Sequence, residues 1–337
     1  MRVLSDPPSA ILDPLTRALA VGSFRGGVGR VDPGLLNKGL VFRTAHEKRW
    51  VYAAIAADEL LVALAVVRLG YAANCFAFAF DRAAGRIVAK YTAVAPTIAA
   101  EVGDSGGDEC HASFNWLGAR VAVERGRGER DYRVEVKAPD LRVSARLSTE
   151  TMPPRIGAIA ALPAPPSGLF NATEKGVLLP AVGEVIAAGR HYDLDGGLGG
   201  YDYTNGLLAR HTAWRWAFAL GRARSAERVA LNLVQGFVGE PECAAWIDGE
   251  LFPLSEGRIE MAPGQPLAPW TVRTARGEVD LRFEPGDMHA EEHNFGVVAS
   301  KFLQPAGSYS GTIQVPGREP IALDRVLGVV EDQDVLW

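Results

Sequence analysis

Apolar and polar residues alternate with a period of two through much of this chain. Tyr132, Val134 and Val136 are separated by Arg133, Glu135 and Lys137, and after Pro139-Asp140 the pattern resumes at Leu141, Val143, Ala145 and Leu147. Side chains two apart share one face of a strand, so this stretch predicts an antiparallel hairpin with one wet face. The pattern returns where Val279, Leu281 and Phe283 are set between Glu278, Asp280, Arg282 and Glu284. Runs near Trp50–Ala56, Leu60–Arg68, Tyr71–Phe80, Arg86–Tyr91 and Ala119–Glu124 bring the first half to about eight strands, spaced as in a barrel or sandwich. The second half offers strands near Gly183–Leu194, Ala209–Leu220, Arg228–Phe237, Cys243–Asp248, Trp270–Thr274, Phe295–Phe302, Tyr309–Val315 and Leu327–Glu331. Few helices are expected, with candidates at Pro14–Val21 and Ile98–Val102.

Proline punctuates the middle of the chain. Met152-Pro153-Pro154 and then Leu162-Pro163-Ala164-Pro165-Pro166-Ser167-Gly168 form its densest proline cluster. Proline removes a donor and fixes φ, so the cluster reads as a stiff connector. The expected division is a domain over 1–160, a linker over 161–169 and a second domain over 170–337. A length of 337 residues fits two such units.

Composition narrows the function classes. With 48% hydrophobic and 22% charged residues the chain is an ordinary globular one. A formal net charge of −5 without a basic cluster argues against nucleic acid as a partner. No segment reaches the roughly 20 apolar residues of a membrane-spanning helix. Cys75, Cys110 and Cys243 are scattered and form no Cys-x-x-Cys pair, as expected for reduced thiols of a cytoplasmic protein rather than a disulfide framework or a zinc site.

Candidate chemistry concentrates between Gly196 and Gly221, which reads GGLGGYDYTNGLLARHTAWRWAFALG. Trp214 and Trp216 face one way if this is a strand, lining a cavity or filling a dry core. Leu207–Leu220 also has helical spacing as an alternative. Asp202 beside aromatic side chains would have its carboxyl made more basic by desolvation and could give up a proton to an alkene or epoxide, with Tyr203, Trp214 and Trp216 stabilising the developing cation. The plainer reading makes Asp202-Tyr203-Thr204-Asn205-Gly206 a turn, with Gly206 at positive φ. Arg210, His211 and Arg215 would point away from the Trp214 and Trp216 face or rim the mouth, with exposed salt bridges as their default role. Glu242 could be a second pocket carboxyl, and acid and base roles divide between two such groups only where they converge. Asp248-Gly249, between Trp246-Ile247 and Leu251-Phe252, is expected to be a type I′ hairpin turn. His289-Ala290-Glu291-Glu292-His293 fits His-x-x-Glu-His formally, but that zinc motif needs a helix and a third ligand, and the segment reads as a polar loop. Gly197-Leu198-Gly199-Gly200 lacks the strand-loop-helix context of a nucleotide site. No metal or cofactor is expected.

Several ordered motifs carry a resemblance. Thr173-Glu174-Lys175 precedes Pro180-Ala181-Val182-Gly183; Asp202-Tyr203-Thr204-Asn205-Gly206 is followed by Thr212-Ala213-Trp214-Arg215-Trp216; Trp246-Ile247-Asp248-Gly249, Tyr309-Ser310-Gly311-Thr312 and Glu331-Asp332-Gln333 follow, ending at Trp337. Weaker echoes lie at Glu47-Lys48-Arg49-Trp50, Leu69-Gly70-Tyr71 and Phe80-Asp81-Arg82. In these the chain resembles the domain of unknown function 2804 family. The aspartate followed by the Trp-x-Trp strand is also similar to carotenoid hydratases (hydroxyneurosporene synthase), tocopherol cyclases and fungal lipocalin-like cyclases. Tyr203 stands where the hydratases carry histidine, and Gln333 where closer relatives do. The resemblance implies a mostly β protein of two tandem lipocalin-like (calycin-like) antiparallel β-barrels with an apolar cavity. It implies a small apolar, amphipathic or isoprenoid-like ligand, bound by Tyr203, Arg210, Trp214 and Trp216. Asp202 and Glu242 are the candidate catalytic groups for hydration, cyclisation or isomerisation. A lipid-binding protein without catalysis is the alternative.

Overall fold

The computed structural model describes residues 2–13, 15–16, 18–36, 38–294, 296 and 298–337. Among them, two antiparallel sheets account for most of the chain. The first runs in the spatial order Arg86–Ala95, Ala73–Asp81, Leu60–Leu69, Glu47–Ala56, Gly197–Leu207, Phe170–Ala187, Leu141–Ser148, Asp131–Lys137, Ala119–Arg125, Cys110–Trp116 and Ala100–Val102. The second runs Glu250–Pro253, Ala244–Ile247, Arg228–Gly236, His211–Arg222, Ile321–Leu336, Ala299–Ile313, Val279–Asn294, Trp270–Thr274 and Gly257–Glu260. Each sheet curls into a half-barrel.

The apolar pattern explains how the two sheets meet. Strands Glu47–Ala56 and Leu60–Leu69 are apolar at consecutive positions, because both of their faces are covered. Val51, Ala53, Ile55, Val62, Leu64 and Val66 point into the curl of the first sheet. The intervening Tyr52, Ala54, Leu61, Ala63 and Ala65 pack against Trp216, Phe218 and Leu220 of the second. The hairpin Asp131–Lys137 with Leu141–Ser148 has one face only to bury, and it alternates as the sequence does.

The expected organisation shifts in three places. The proline cluster is the loop of a hairpin joining Ile156–Ala161 to Phe170–Ala187, closed by the Leu162 N–H on the Leu169 carbonyl at 3.0 Å. Prolines fit there because the loop lies outside the ladder. Strands Phe170–Ala187 and Gly197–Leu207 then continue the first sheet, pairing onward to Glu47–Ala56, so the passage between sheets falls at 208–210. The candidate helix Pro14–Val21 is not helical in its described part; its Pro14 and Arg17 lie outside the described residues. There, Asp13 Oδ1 accepts the N–H groups of Leu15 and Thr16 in a tight turn, and Leu12 bridges Leu19. Ile98–Val102 is a short 3₁₀ turn, Thr97–Ala99, followed by the strand Ala100–Val102. Asp248 and Gly249, at φ 49° and 90°, make the expected I′ turn between Ile247 and Glu250.

Asp202 to Gly206 form the interior of a strand, not a turn. Gly206 serves close approach instead: a Cβ there would lie 2.4 Å from the Phe170 carbonyl oxygen on the paired strand. Gly206→Ala is expected to force these strands apart and to cost roughly 1–3 kcal/mol in urea unfolding. No helix among the described residues is long and apolar enough to cross a membrane.

Candidate functional site

A cavity of about 400 Å³ lies between the two sheets. It opens there because the sheets touch through large side chains that leave room around them. Trp50 of the first sheet stacks on Trp214 of the second with ring centroids 6.0 Å apart. Tyr52 meets Trp216 edge-on at 5.0 Å. Ala65, Val67, Phe76, Val234, Phe237 and Phe302 continue an apolar wall. The Trp214/Trp216 spacing therefore does place both rings on one face of His211–Arg222, which is a strand and not a helix.

One patch of this wall is strongly polar. Strand register sets Tyr52, Asp202 and Lys175 side by side across Glu47–Ala56, Gly197–Leu207 and Phe170–Ala187. Lys175 Nζ lies 2.5 Å from Asp202 Oδ1, 2.9 Å from Glu242 Oε2 and 2.7 Å from the Thr173 hydroxyl. Thr173 in turn donates to the Tyr203 carbonyl at 2.9 Å and accepts from the Thr204 hydroxyl at 3.1 Å. Lys175, Asp202 and Glu242 are all buried. Burial alone would lower the lysine's affinity for its proton, but Asp202 and Glu242 outweigh it and hold Lys175 above its ordinary range. Glu242 is pushed up, by burial first and by Asp202 as well, with Lys175 opposing. Asp202 and Glu242 thus converge through one ammonium, which the sequence spacing could not establish.

Glu331 faces this group from the second sheet. It sits opposite Trp216 in the ladder, accepts the Trp214 indole N–H at 2.7 Å, and accepts the Gln304 amide N–H at 2.8 Å. Burial is the main cause that pushes its carboxyl up to about 7, with the charge of Asp202 adding to it; the two hydrogen bonds and Lys175 act the other way. Near neutral pH, then, this carboxyl exists in both protonation states. Neither Glu331 nor Lys175 and Tyr52 stood out as chemistry in the sequence. The available signal was a charged pair at the edge of an apolar run, Glu174-Lys175 before Gly176-Val177-Leu178-Leu179 and Glu331-Asp332 after Leu327-Gly328-Val329-Val330.

Two of the expected ligand contacts are elsewhere. Tyr203 alternates away from Asp202 onto the inner face of the first sheet, where its hydroxyl donates to the Gly103 carbonyl at 3.2 Å and accepts from Asn205 at 3.1 Å. Arg210 lies exposed in the crossing between sheets, where its carbonyl accepts the Trp337 N–H at 2.7 Å. It does not line the cavity, but its charge reaches Lys48. That lysine is buried behind Tyr71 and Trp337 of the cavity wall, with Nζ 4.9 and 5.6 Å from their ring centres, and donates to the Ala45 carbonyl at 2.8 Å. Burial, reinforced by Arg210 and opposed by Glu47, pushes it down to about 7.

His289, Glu291 and His293 occupy one face of the strand Val279–Asn294, so the helical zinc motif is not formed. Glu291 Oε1 lies 2.9 Å from His289, and Oε2 takes Asn74 at 3.0 Å and His293 at 3.3 Å. Among the described residues no group of three or more His, Cys, Asp and Glu side chains is arranged to hold a metal ion. Of the expected strand Phe295–Phe302, residues 299–302 lie in the strand Ala299–Ile313, and Phe295 and Val297 lie outside the described residues.

The model of the family described as Domain of unknown function (DUF2804) matches residues 9–337. No curated protein matches the chain in sequence. The fold is similar to that of a Nitrosomonas europaea protein assigned as AttH, with 12% identity and a TM-score of 0.51, covering 90% of this chain and 97% of that one. It is similar to CghA, with 13% identity and a TM-score of 0.56 over 98% of this chain and 95% of that one. The structure of CghA with Sch210972 gives 14% identity and a TM-score of 0.53, over 98% and 97%. The architecture is mostly β and lipocalin-type, of two curled antiparallel half-barrel sheets.

Proposed function

The chain belongs to the family described as Domain of unknown function (DUF2804), and from its cavity we propose that it binds a small apolar, isoprenoid- or lipid-like molecule. On that ligand it carries out proton transfer of the hydratase, cyclase or isomerase kind. The observation that carries this reading is a carboxyl poised near 7, Glu331, facing the Lys175-bridged pair Asp202 and Glu242 across an apolar cavity of about 400 Å³. A cavity of this size and lining suits a small apolar ligand. Proton transfer is most efficient when the donor's affinity for its proton matches the working pH, and Glu331 meets that condition. Trp214 and Trp216 supply faces that would stabilise positive charge developing on an alkene. The same fold was crystallised with Sch210972 in CghA. The reading takes the protein as cytoplasmic, supported by three buried free thiols.

The binding step is testable with 2-ethylnaphthalene as a probe of the cavity. Titration should quench the tryptophan emission and saturate. Ala65→Trp, which fills the cavity from a buried wall position, should weaken binding by roughly tenfold or more while circular dichroism stays unchanged. A wild-type protein that takes up no probe contradicts the reading.

A further inference from the structure

We infer that the substrate is a carbonyl compound with an acidic α C–H, which the site enolises with Asp202 as base and with Tyr52 and Glu331 as joint donors to the carbonyl oxygen. This rests on the cavity reading above and adds to it the class of substrate and the division of roles.

Tyr52 is the starting point. Its side chain lines the cavity and is 4% exposed, yet among the described residues its hydroxyl has no hydrogen-bond partner. A buried phenol without a partner forfeits a hydrogen bond that such groups almost always make. Burial, with the charges of Glu331 and Asp202, holds this phenol well above its ordinary range, so it keeps its proton and can act only as a donor or neutral acceptor. The unmet group therefore asks for an acceptor atom on the ligand.

Register supplies the remaining geometry. Asp202 is directly opposite Tyr52 in the ladder, so both side chains emerge from the same face at neighbouring strands. Lys175 addresses Asp202 Oδ1, which leaves Oδ2 as the oxygen available to the cavity. Glu331 approaches from the second sheet, where it pairs in the ladder with Trp216, whose ring touches the Tyr52 ring at 5.0 Å. A donor and a carboxylate oxygen from the first sheet, with a second donor from the other sheet, fit a carbonyl group and its adjacent C–H held between the sheets.

The step balances without a co-reactant. Asp202 takes the α proton, the C–H electron pair becomes the carbon–carbon double bond, and the carbonyl π pair moves onto oxygen, where Tyr52 and Glu331 hold it by hydrogen bonds. Asp202 then returns the proton to the same carbon or to a conjugated one. Nothing is oxidised or reduced. Lys175 is a positioning residue, since it touches Asp202 and not the reacting atoms.

The test compares 2-acetylnaphthalene, an acceptor-only ketone with α hydrogens, with 2-ethylnaphthalene of similar shape. The ketone should bind about tenfold tighter. Its methyl hydrogens should exchange in deuterium oxide, followed by NMR, at least roughly a hundredfold faster than in buffer. Tyr52→Phe should erase the ketone preference and slow exchange at least roughly tenfold with ethylnaphthalene affinity unchanged. Asp202→Asn should stop exchange and keep the preference. If ethylnaphthalene binds but the ketone gains no affinity, or shows no exchange, the enolisation inference falls and the cavity reading stands. If neither compound binds, both fall.

Discussion

Replacing Lys175 by Met is expected to destabilise the protein by about 3–5 kcal/mol at pH 7, one of the largest effects of any single substitution here. The ammonium is 2% exposed and is the shared partner of Asp202 and Glu242. Removing it leaves two buried carboxyl groups facing each other with no compensating charge. The loss should shrink as the pH falls, because Glu242, already pushed up by burial, takes a proton readily once the lysine no longer opposes it. Urea unfolding of wild type and variant at pH 5 and pH 8 checks this. A variant equally destabilised at both values would show that the effect is lost packing and not unpaired charge. Adding Asp202→Asn to the lysine variant should recover part of the stability, since one of the two carboxylates is then gone.

Glu331→Gln should act in the opposite direction on stability and slow catalysed proton transfer. The folded protein holds the Glu331 proton up to about 7, whereas the unfolded chain releases it near the ordinary 4.5. Between these values the folded state binds more protons than the unfolded one, so this group's contribution is fully present below about 4.5 and is lost as the pH rises through about 7. The span corresponds to roughly 3 kcal/mol. Glutamine cannot ionise, and the Gln304 Oε1 atom, buried without a partner among the described residues, can accept from the new amide if the Gln304 side chain turns over. The variant is therefore expected to lose most of the wild type's decline in stability between pH 5 and pH 8, and to unfold later than wild type at pH 8. Catalysed exchange should drop by roughly a hundredfold or more. Thermal unfolding at the two pH values and the exchange assay together separate a proton donor from a packing residue.

Much of the fold is written in the alternation of side chains. The hairpin through Tyr132 and Leu147 has one buried face, and its sequence shows it directly. Strands such as Leu60–Leu69 and Gly197–Leu207 are covered on both faces, so period two disappears from them and with it any sign of which sheet they join. That is why the proline-rich hairpin loop reads as a domain linker. In the site, Asp202, Trp214 and Trp216 are legible because they cluster in one short stretch. Glu242 comes into contact with Asp202 only through Lys175. Tyr52 and Glu331 lie far from Asp202 along the chain and are joined to it by cross-strand register and by the meeting of two sheets, neither of which local spacing encodes. Tyr203 misleads for the same reason in reverse: adjacent to Asp202 in sequence, it points to the other face of the sheet.

In the proposed function an apolar ligand enters the space between the sheets beside a carboxyl poised near neutrality. The most direct measurement is the carboxyl-carbon NMR shift of Glu331 in protein labelled with ¹³C-glutamate, assigned with Glu331→Gln and followed from about pH 4 to pH 9, with and without 2-ethylnaphthalene. The expected midpoint is about 7, moving higher when the probe displaces water from around the carboxyl. A midpoint near the ordinary 4.5, or one that saturating probe leaves unmoved, would contradict the account.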